Sequence, residues 1–321
     1  MSSLPDLEAW VREADEPSLR WRWLTEVEGR PIGNGEVVAA RAEVLQKGWA
    51  RRLLDEQLPS GAWASPGVTS RHLYVPKYIA TNWRMIVLSE LGATRADPGV
   101  ARGAELMIAA FGGPEGDLGG TGSEVCFTGN AVRFLSNLGY ADDPRLDAAI
   151  AWLIGSQKAD GGWHCFPSET GTLDGWEGLA AFAALPTSRH SAAVDRAIAR
   201  GAEFYLARHL LEEGPDEYGP WRRTHYPVHY YYDYLVGLDL LTRLGFGRDD
   251  RLGPALDLLE SRRNADGTWN LDALHPDLPG PDVTDYQLRT PYYPFAIEPA
   301  GRPSRWITVT ALGVLRRAGR A

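Results

Sequence analysis

A seven-residue pattern recurs three times and confines the chain to a repeat architecture. Gln57-Leu58-Pro59-Ser60-Gly61-Ala62-Trp63 has the form Q-x-x-x-G-x-W, and Gln157-Lys158-Ala159-Asp160-Gly161-Gly162-Trp163 repeats it 100 residues later. Arg263-Asn264-Ala265-Asp266-Gly267-Thr268-Trp269 keeps the spacing with Arg in place of Gln. Gly219-Pro220-Trp221 is a shorter relic, and Asp117 to Gly122 stands where a further copy belongs but lacks its tryptophan. Units of this kind cannot bury an apolar face alone and must stack on their neighbours. The tryptophan excess, 12 against 8 phenylalanines, therefore has a repeated use, with Trp63, Trp163, Trp221 and Trp269 in the turns.

Apolar residues at helical spacing precede the turns. Leu146, Ile150, Leu153 and Ile154 form one stripe, and Leu252, Ala255, Leu256 and Leu259 another. Val100, Ala104, Met107, Ile108 and Phe111 make a third, and Val194, Ile198, Ala202 and Tyr205 a fourth. A single stripe predicts an outer helix with one face in water. The segments after the turns are apolar on more than one face. Thr81 to Gly92 and Thr128 to Gly139 align at an offset of 47 with Thr, Leu-Ser and Leu-Gly retained, and Leu185, Leu244-Gly245 and Ala318-Gly319 close further copies. These predict an inner layer.

With N-terminal helices near residues 4–14, 18–28 and 37–57, the count reaches about twelve, which suits a closed ring of six helical hairpins. The expected fold is an all-α, α/α toroid in one domain, with residues 1–56 closing the ring and 57–321 carrying the repeats. Strands have almost no support. The Pro-rich stretch His275 to Ser304, with Tyr286, Tyr292, Tyr293 and Phe295, reads as a loop packed over one end.

The three turns resemble the QW motifs of the terpenoid cyclase and protein prenyltransferase superfamily, whose domains are α/α toroids. The chain resembles, in particular, bacterial single-domain proteins built from prenyltransferase and squalene oxidase repeats. The resemblance covers about Gln57 to Ala321 and implies a hydrophobic, isoprenoid-type substrate in a central cavity. A fold hosts many chemistries, so the site has to carry the function. The Asp-x-Asp-Asp and Asp-Asp-x-x-Asp motifs of the two terpene cyclase classes are both absent. Asp142-Asp143-Pro144-Arg145-Leu146-Asp147 has the wrong spacing for the second, and Asp143 before Pro144 reads as a helix cap.

Every turn hands over to the start of an inner helix, so residues remote in sequence meet at one end of the ring. Cys126, Cys165, Asp174 and His229 fall there and offer the ligand types zinc takes, three from the protein with one position open. Protein prenyltransferases bind zinc through an Asp-x-Cys pair and a later His; Glu124-Val125-Cys126 departs from that, leaving the carboxylate open between Glu124 and Asp174. The competing reading makes the cysteines buried apolar fillers.

Asp233, Glu124 and Glu177 are candidate acids or bases, raised in pKa by an apolar cavity. Tyr231 joins them from the run His225 to Tyr234. Trp83, Phe127, Trp176, Tyr230 and Trp306 are candidates to line a prenyl cavity or to stabilise a carbocation, unless they merely fill the ring. Arg222 and Arg305 are the candidates for diphosphate.

The net charge of −9 carries no basic face, which speaks against nucleic acid. No apolar run approaches a membrane span and the first sixteen residues lack a leader-like core, so a cytoplasmic protein is expected. The alternative to an enzyme is a non-catalytic toroid whose mouth binds a lipid, a peptide or a protein partner.

Overall fold

In the computed structural model the chain is all-α, and the structure describes residues 3–112, 124–212, 219–274, 283–285, 290–292 and 295–320. The helices in chain order are α1 (Leu4–Arg12), α2 (Pro17–Arg22, continued by a π-helical turn Trp23–Val27), α3 (Gly35–Glu43), α4 (Gly48–Asp55) and α5 (Ser70–Tyr74). They continue with α6 (Thr81–Glu90), α7 (Pro98–Phe111), α8 (Val125–Leu135), α9 (Asp147–Ser156) and α10 (Glu177–Ala183). The last four are α11 (Ala192–Leu206), α12 (Tyr234–Arg243), α13 (Gly253–Ser261) and α14 (Arg305–Ala318).

Six outer and inner helices alternate: α1 with α2, α4 with α6, α7 with α8, α9 with α10, α11 with α12, and α13 with α14. Each inner helix packs on the next around the ring from α6 to α14, and α14 returns to α2 and its π-helical turn. Gly92 completes the circle, since a Cβ there would meet the Trp21 ring at 2.6 Å. Burial follows the layers. In α6 every residue from Thr81 to Ser89 is buried, whereas α11 buries one stripe that includes Val194, Ala197, Gly201 and Tyr205.

The three turns are the same device. Each tryptophan donates its indole N–H to the backbone carbonyl ten residues earlier: Trp63 to Leu53, Trp163 to Leu153 and Trp269 to Leu259, at 2.7–2.9 Å. Gly61, Gly161 and Gly267 all take positive φ, between 86° and 94°, which a side chain resists. Gln57 Nε2 donates to the Gly61 carbonyl and also to that of Gly99 at the start of the next outer helix, 2.8 Å each. Gln157 does the same to Gly161 and to Ala197 on α11. Arg102 and Arg200 from those helices close on the two glutamine oxygens. Arg263 keeps the first bond, to Gly267, and sets its guanidinium over the Trp269 ring.

The N-terminal segment departs from expectation. Residues 37–57 form two helices rather than one, broken between Val44 and Lys47. Gly48 sits at φ +79° because the Glu16 carboxylate lies where its Cβ would go, 2.5 Å away. That carboxylate accepts the N–H groups of Ser18 and Trp49 and so caps α2 and α4 together. Four three-residue strands also occur, β1 (Trp269–Leu271), β2 (Val283–Asp285), β3 (Thr290–Tyr292) and β4 (Arg302–Ser304). β1 pairs antiparallel with β4, and β2 with β3. β2, β3 and β4 lie in the stretch read as a loop, where proline and short length hide any alternation, and β1 begins at the tryptophan of the third turn. Tyr286 and Tyr293, and the turn relic at 117–122, lie outside the described residues. No helix among the described residues is long and apolar enough to cross a membrane.

Candidate functional site at the inner-helix N-termini

Inner helices all run the same way, so their N-termini meet at one mouth of the ring. An aromatic wall stands there. Trp83, in the first turn of α6, lies 5.0 Å from Tyr74, 5.1 Å from Tyr78, 5.4 Å from His229 and 5.6 Å from Tyr230, ring centre to ring centre. Phe127 in α8 joins from the other side of Tyr74 at 5.8 Å. The hydroxyls of Tyr78, Tyr230 and Tyr231 form a triangle with sides of 2.8, 3.1 and 3.3 Å. Burial, and then their phenolic neighbours, push the Tyr78 and Tyr230 hydroxyls above their ordinary range, so they stay neutral. Tyr78 was not a sequence candidate; it follows Pro76-Lys77 in an irregular segment with φ +69°, and nothing in its local pattern marks it.

Of the three carboxyl candidates, one has the environment of an acid. Glu177 opens α10 with its side chain fully buried, and neither carboxyl oxygen has a hydrogen-bond partner on another described residue. Burial first, and then the nearby Cys165 sulfur, push it well above the usual carboxylate range, against a smaller opposing pull from Arg133. A carboxyl group shifted in that direction keeps its proton to higher pH than an exposed glutamate does. Gly129 explains the closeness of the two helices, because a Cβ there would strike the Glu177 backbone at 2.5 Å.

Glu124 stands exposed at the cap position of α8, where its Oε2 accepts the Cys126 thiol at 3.8 Å. Asp233 is buried but occupied. Its Oδ2 accepts the His225 backbone N–H at 3.1 Å and pairs with His225 Nδ1 at 2.7 Å, while Oδ1 caps α12 at Val236. The sequence did not place His225 above an ordinary loop residue, and the signal available was only its eight-residue distance from Asp233.

The two cysteines are neighbours. Cys165 Sγ accepts the backbone N–H of Cys126 at 3.1 Å, both residues are half-buried, and both are free thiols. Hydrogen bonding to Cys165, followed by burial, raises the Cys126 thiol. The other two ligands expected for zinc go elsewhere. Asp174 accepts the Trp221 indole N–H at 3.1 Å, and His229 is sandwiched by Tyr78 and Trp83. Among the described residues no three metal-ligating side chains converge.

The remaining candidates divide. Trp176 donates to the Tyr230 carbonyl at 3.2 Å and lies under the Arg133 guanidinium, which fixes it as a strut behind the wall. Trp306 packs 4.7 Å from Tyr226 with Arg22 over its face at 4.1 Å. Arg305 donates to the Trp10 carbonyl and stacks on that ring, so it ties α14 to α1. Arg222 is exposed at the end of the short turn that holds Trp221.

The C-terminal end of the ring is built from ions. Arg317 pairs with Glu26 and with Asp239, Arg243 with the same two carboxylates, and Arg133 with Glu90 at 3.0 Å. Burial alone would raise Asp239, but Arg243, Arg317 and Arg22 hold it well below the usual carboxylate range.

No protein-family model matches this chain, and no curated protein matches it. Solved structures do. A protein from Actinoplanes aligns at 18% identity over 94% of this chain and 88% of its own, with a TM-score of 0.47. The type II terpene cyclase MstE from Scytonema aligns in its apo form at 14% identity over 94% and 88%, with a TM-score of 0.45. A variant of that cyclase in complex with merosterolic acid A, its product, aligns at 15% identity over 94% and 86%, with a TM-score of 0.46.

Proposed function

We propose that this chain is an enzyme of the terpene-cyclase or prenyltransferase kind, which takes a hydrophobic, isoprenoid-type substrate at the aromatic mouth of its ring. The observation that carries this reading is Glu177, a buried carboxyl group with no hydrogen-bond partner on another described residue, beside a wall of π-faces. Protonating a carbon–carbon double bond requires an acid that keeps its proton until substrate arrives, and burial without a counter-ion produces one. The cation so formed is stabilised by aromatic faces, and Tyr74, Trp83, Phe127 and Tyr230 offer four close to one another. Glu177 is preferred over Asp233, which holds His225, and over Glu124, which is exposed to water. Trp83, Phe127 and Tyr230 bind the chain, and Tyr231 orders the hydroxyl triangle against it. Zinc has no step in this reading, since Asp174 holds the Trp221 indole and His229 stands against Tyr78 and Trp83.

The test is product formation from a panel of prenyl substrates of increasing length, with and without a diphosphate, read by mass spectrometry of the organic extract. The expected result is a cyclised or rearranged product from wild type and none from Glu177→Gln. Binding of a prenyl compound, seen as tryptophan quenching, without turnover of any panel member would replace the reading with that of a lipid-binding ring.

A further inference from the structure

Cys126 and Cys165 come from different repeats, 39 residues apart, yet the Cys165 sulfur sits 3.1 Å from the Cys126 backbone nitrogen. Both remain half-exposed at the mouth, so a small solute can reach them. Their positions are unequal. Cys165 lies on the irregular segment between Trp163 and α10, with its sulfur on the backbone N–H of Cys126 in the first turn of α8. Cys126 belongs to that helix itself, its thiol raised by Cys165 and by burial.

We propose that Cys126 and Cys165 are a reversible oxidation site, closed to a disulfide by a low-molecular-weight disulfide such as oxidised glutathione. In the first step the Cys165 thiolate attacks the small disulfide, forming a mixed disulfide and expelling one small thiolate, which takes up a proton. In the second, the Cys126 thiol loses its proton and attacks the Cys165 sulfur, expelling the second small thiol. Two S–H bonds become one S–S bond in the protein, and the oxidant leaves as two thiols. The new bond ties the segment entering α10 to the first turn of α8, next to Glu177. The assignment does not depend on the proposed reaction of the site, because its readout is covalent.

Wild-type protein is equilibrated across a series of oxidised to reduced glutathione ratios, quenched by alkylation and weighed intact, with peptide mapping. The expected wild-type end point is one species lighter than the reduced protein by two hydrogens, with Cys126 and Cys165 in one cross-linked peptide and no glutathione retained. Cys126→Ser is expected to stop at a stable adduct of one glutathione on Cys165. Wild type that stays fully reduced at the most oxidising ratio, or that keeps glutathione without cross-linking, overturns the proposal.

Discussion

The two ends of the ring meet the same problem, polar groups on crowded inner helices, in opposite ways. At the C-terminal end Glu26, Asp239, Arg243 and Arg317 neutralise one another, and arginine at the ends of α12 and α14 suits the negative pole of each helix. At the N-terminal end Glu177 has no such partner among the described residues, and burial shifts it toward its protonated form. A network completed within the protein has little left for a ligand. An incomplete one leaves a polar group available to a ligand, and this contrast supports the acid proposed at the mouth.

The largest effect should come from the incomplete end. Glu177→Gln is expected to lower turnover by roughly 10²–10⁴-fold while the fold persists, and full activity in that variant would remove the acid assignment. Next, Arg317→Met should cost about 2–3 kcal/mol in denaturant unfolding, somewhat below the figure for a fully buried pair because the side chain keeps 13% of its exposure. That variant should leave product identity alone; a changed product would mean that the two ends are not separate. Gln157→Ala removes the bonds to Gly161 and Ala197 and should cost about 1–2 kcal/mol without altering the pH response.

The smallest effect at any single pH is also the most diagnostic. Glu177 is raised in the folded state, so its contribution is complete below the ordinary glutamate range and is lost as pH rises towards its folded value. Asp239 is lowered, so its contribution is present above the ordinary aspartate range and is lost as pH falls. Melting curves of Glu177→Gln against wild type should therefore diverge in the variant's favour on the alkaline side, and those of Asp239→Asn should converge with wild type on the acid side. Parallel curves would show that the ends do not differ in this way.

Much of the fold was legible because its signals are local. A glycine at positive φ and a tryptophan whose indole reaches ten residues back both require a fixed spacing, and fixed spacing survives as sequence. Layering was legible for the same reason, through stripes and fully apolar helices. The break before Gly48 was not, since it depends on Glu16, distant in sequence. The site was legible as a neighbourhood and illegible as a set of roles. Cys126, Cys165 and Glu177 do meet, and Trp83, Phe127 and Tyr230 do share a wall. Yet Asp174 reads as no less ligating than Glu124 until Trp221 is placed on it, and Arg305 reads as any surface arginine until it lies on Trp10. Which polar group lacks a partner is a property of the packed chain.

The substitution of Arg263 for glutamine in the third turn has a consequence for how the ring holds together. Gln57 and Gln157 each fasten a turn to the outer helix that follows in the chain, but the third turn has only the N-terminal helix ahead of it, with Leu7 lying 3.4 Å from where a Gly267 Cβ would stand. There the join is made by apolar contact and by Arg305 on Trp10 in the outer layer, and by Arg317 and Arg243 on Glu26 in the inner one. The ring thus has a seam. At that seam side-chain contacts, and no loop among the described residues, hold the circle closed.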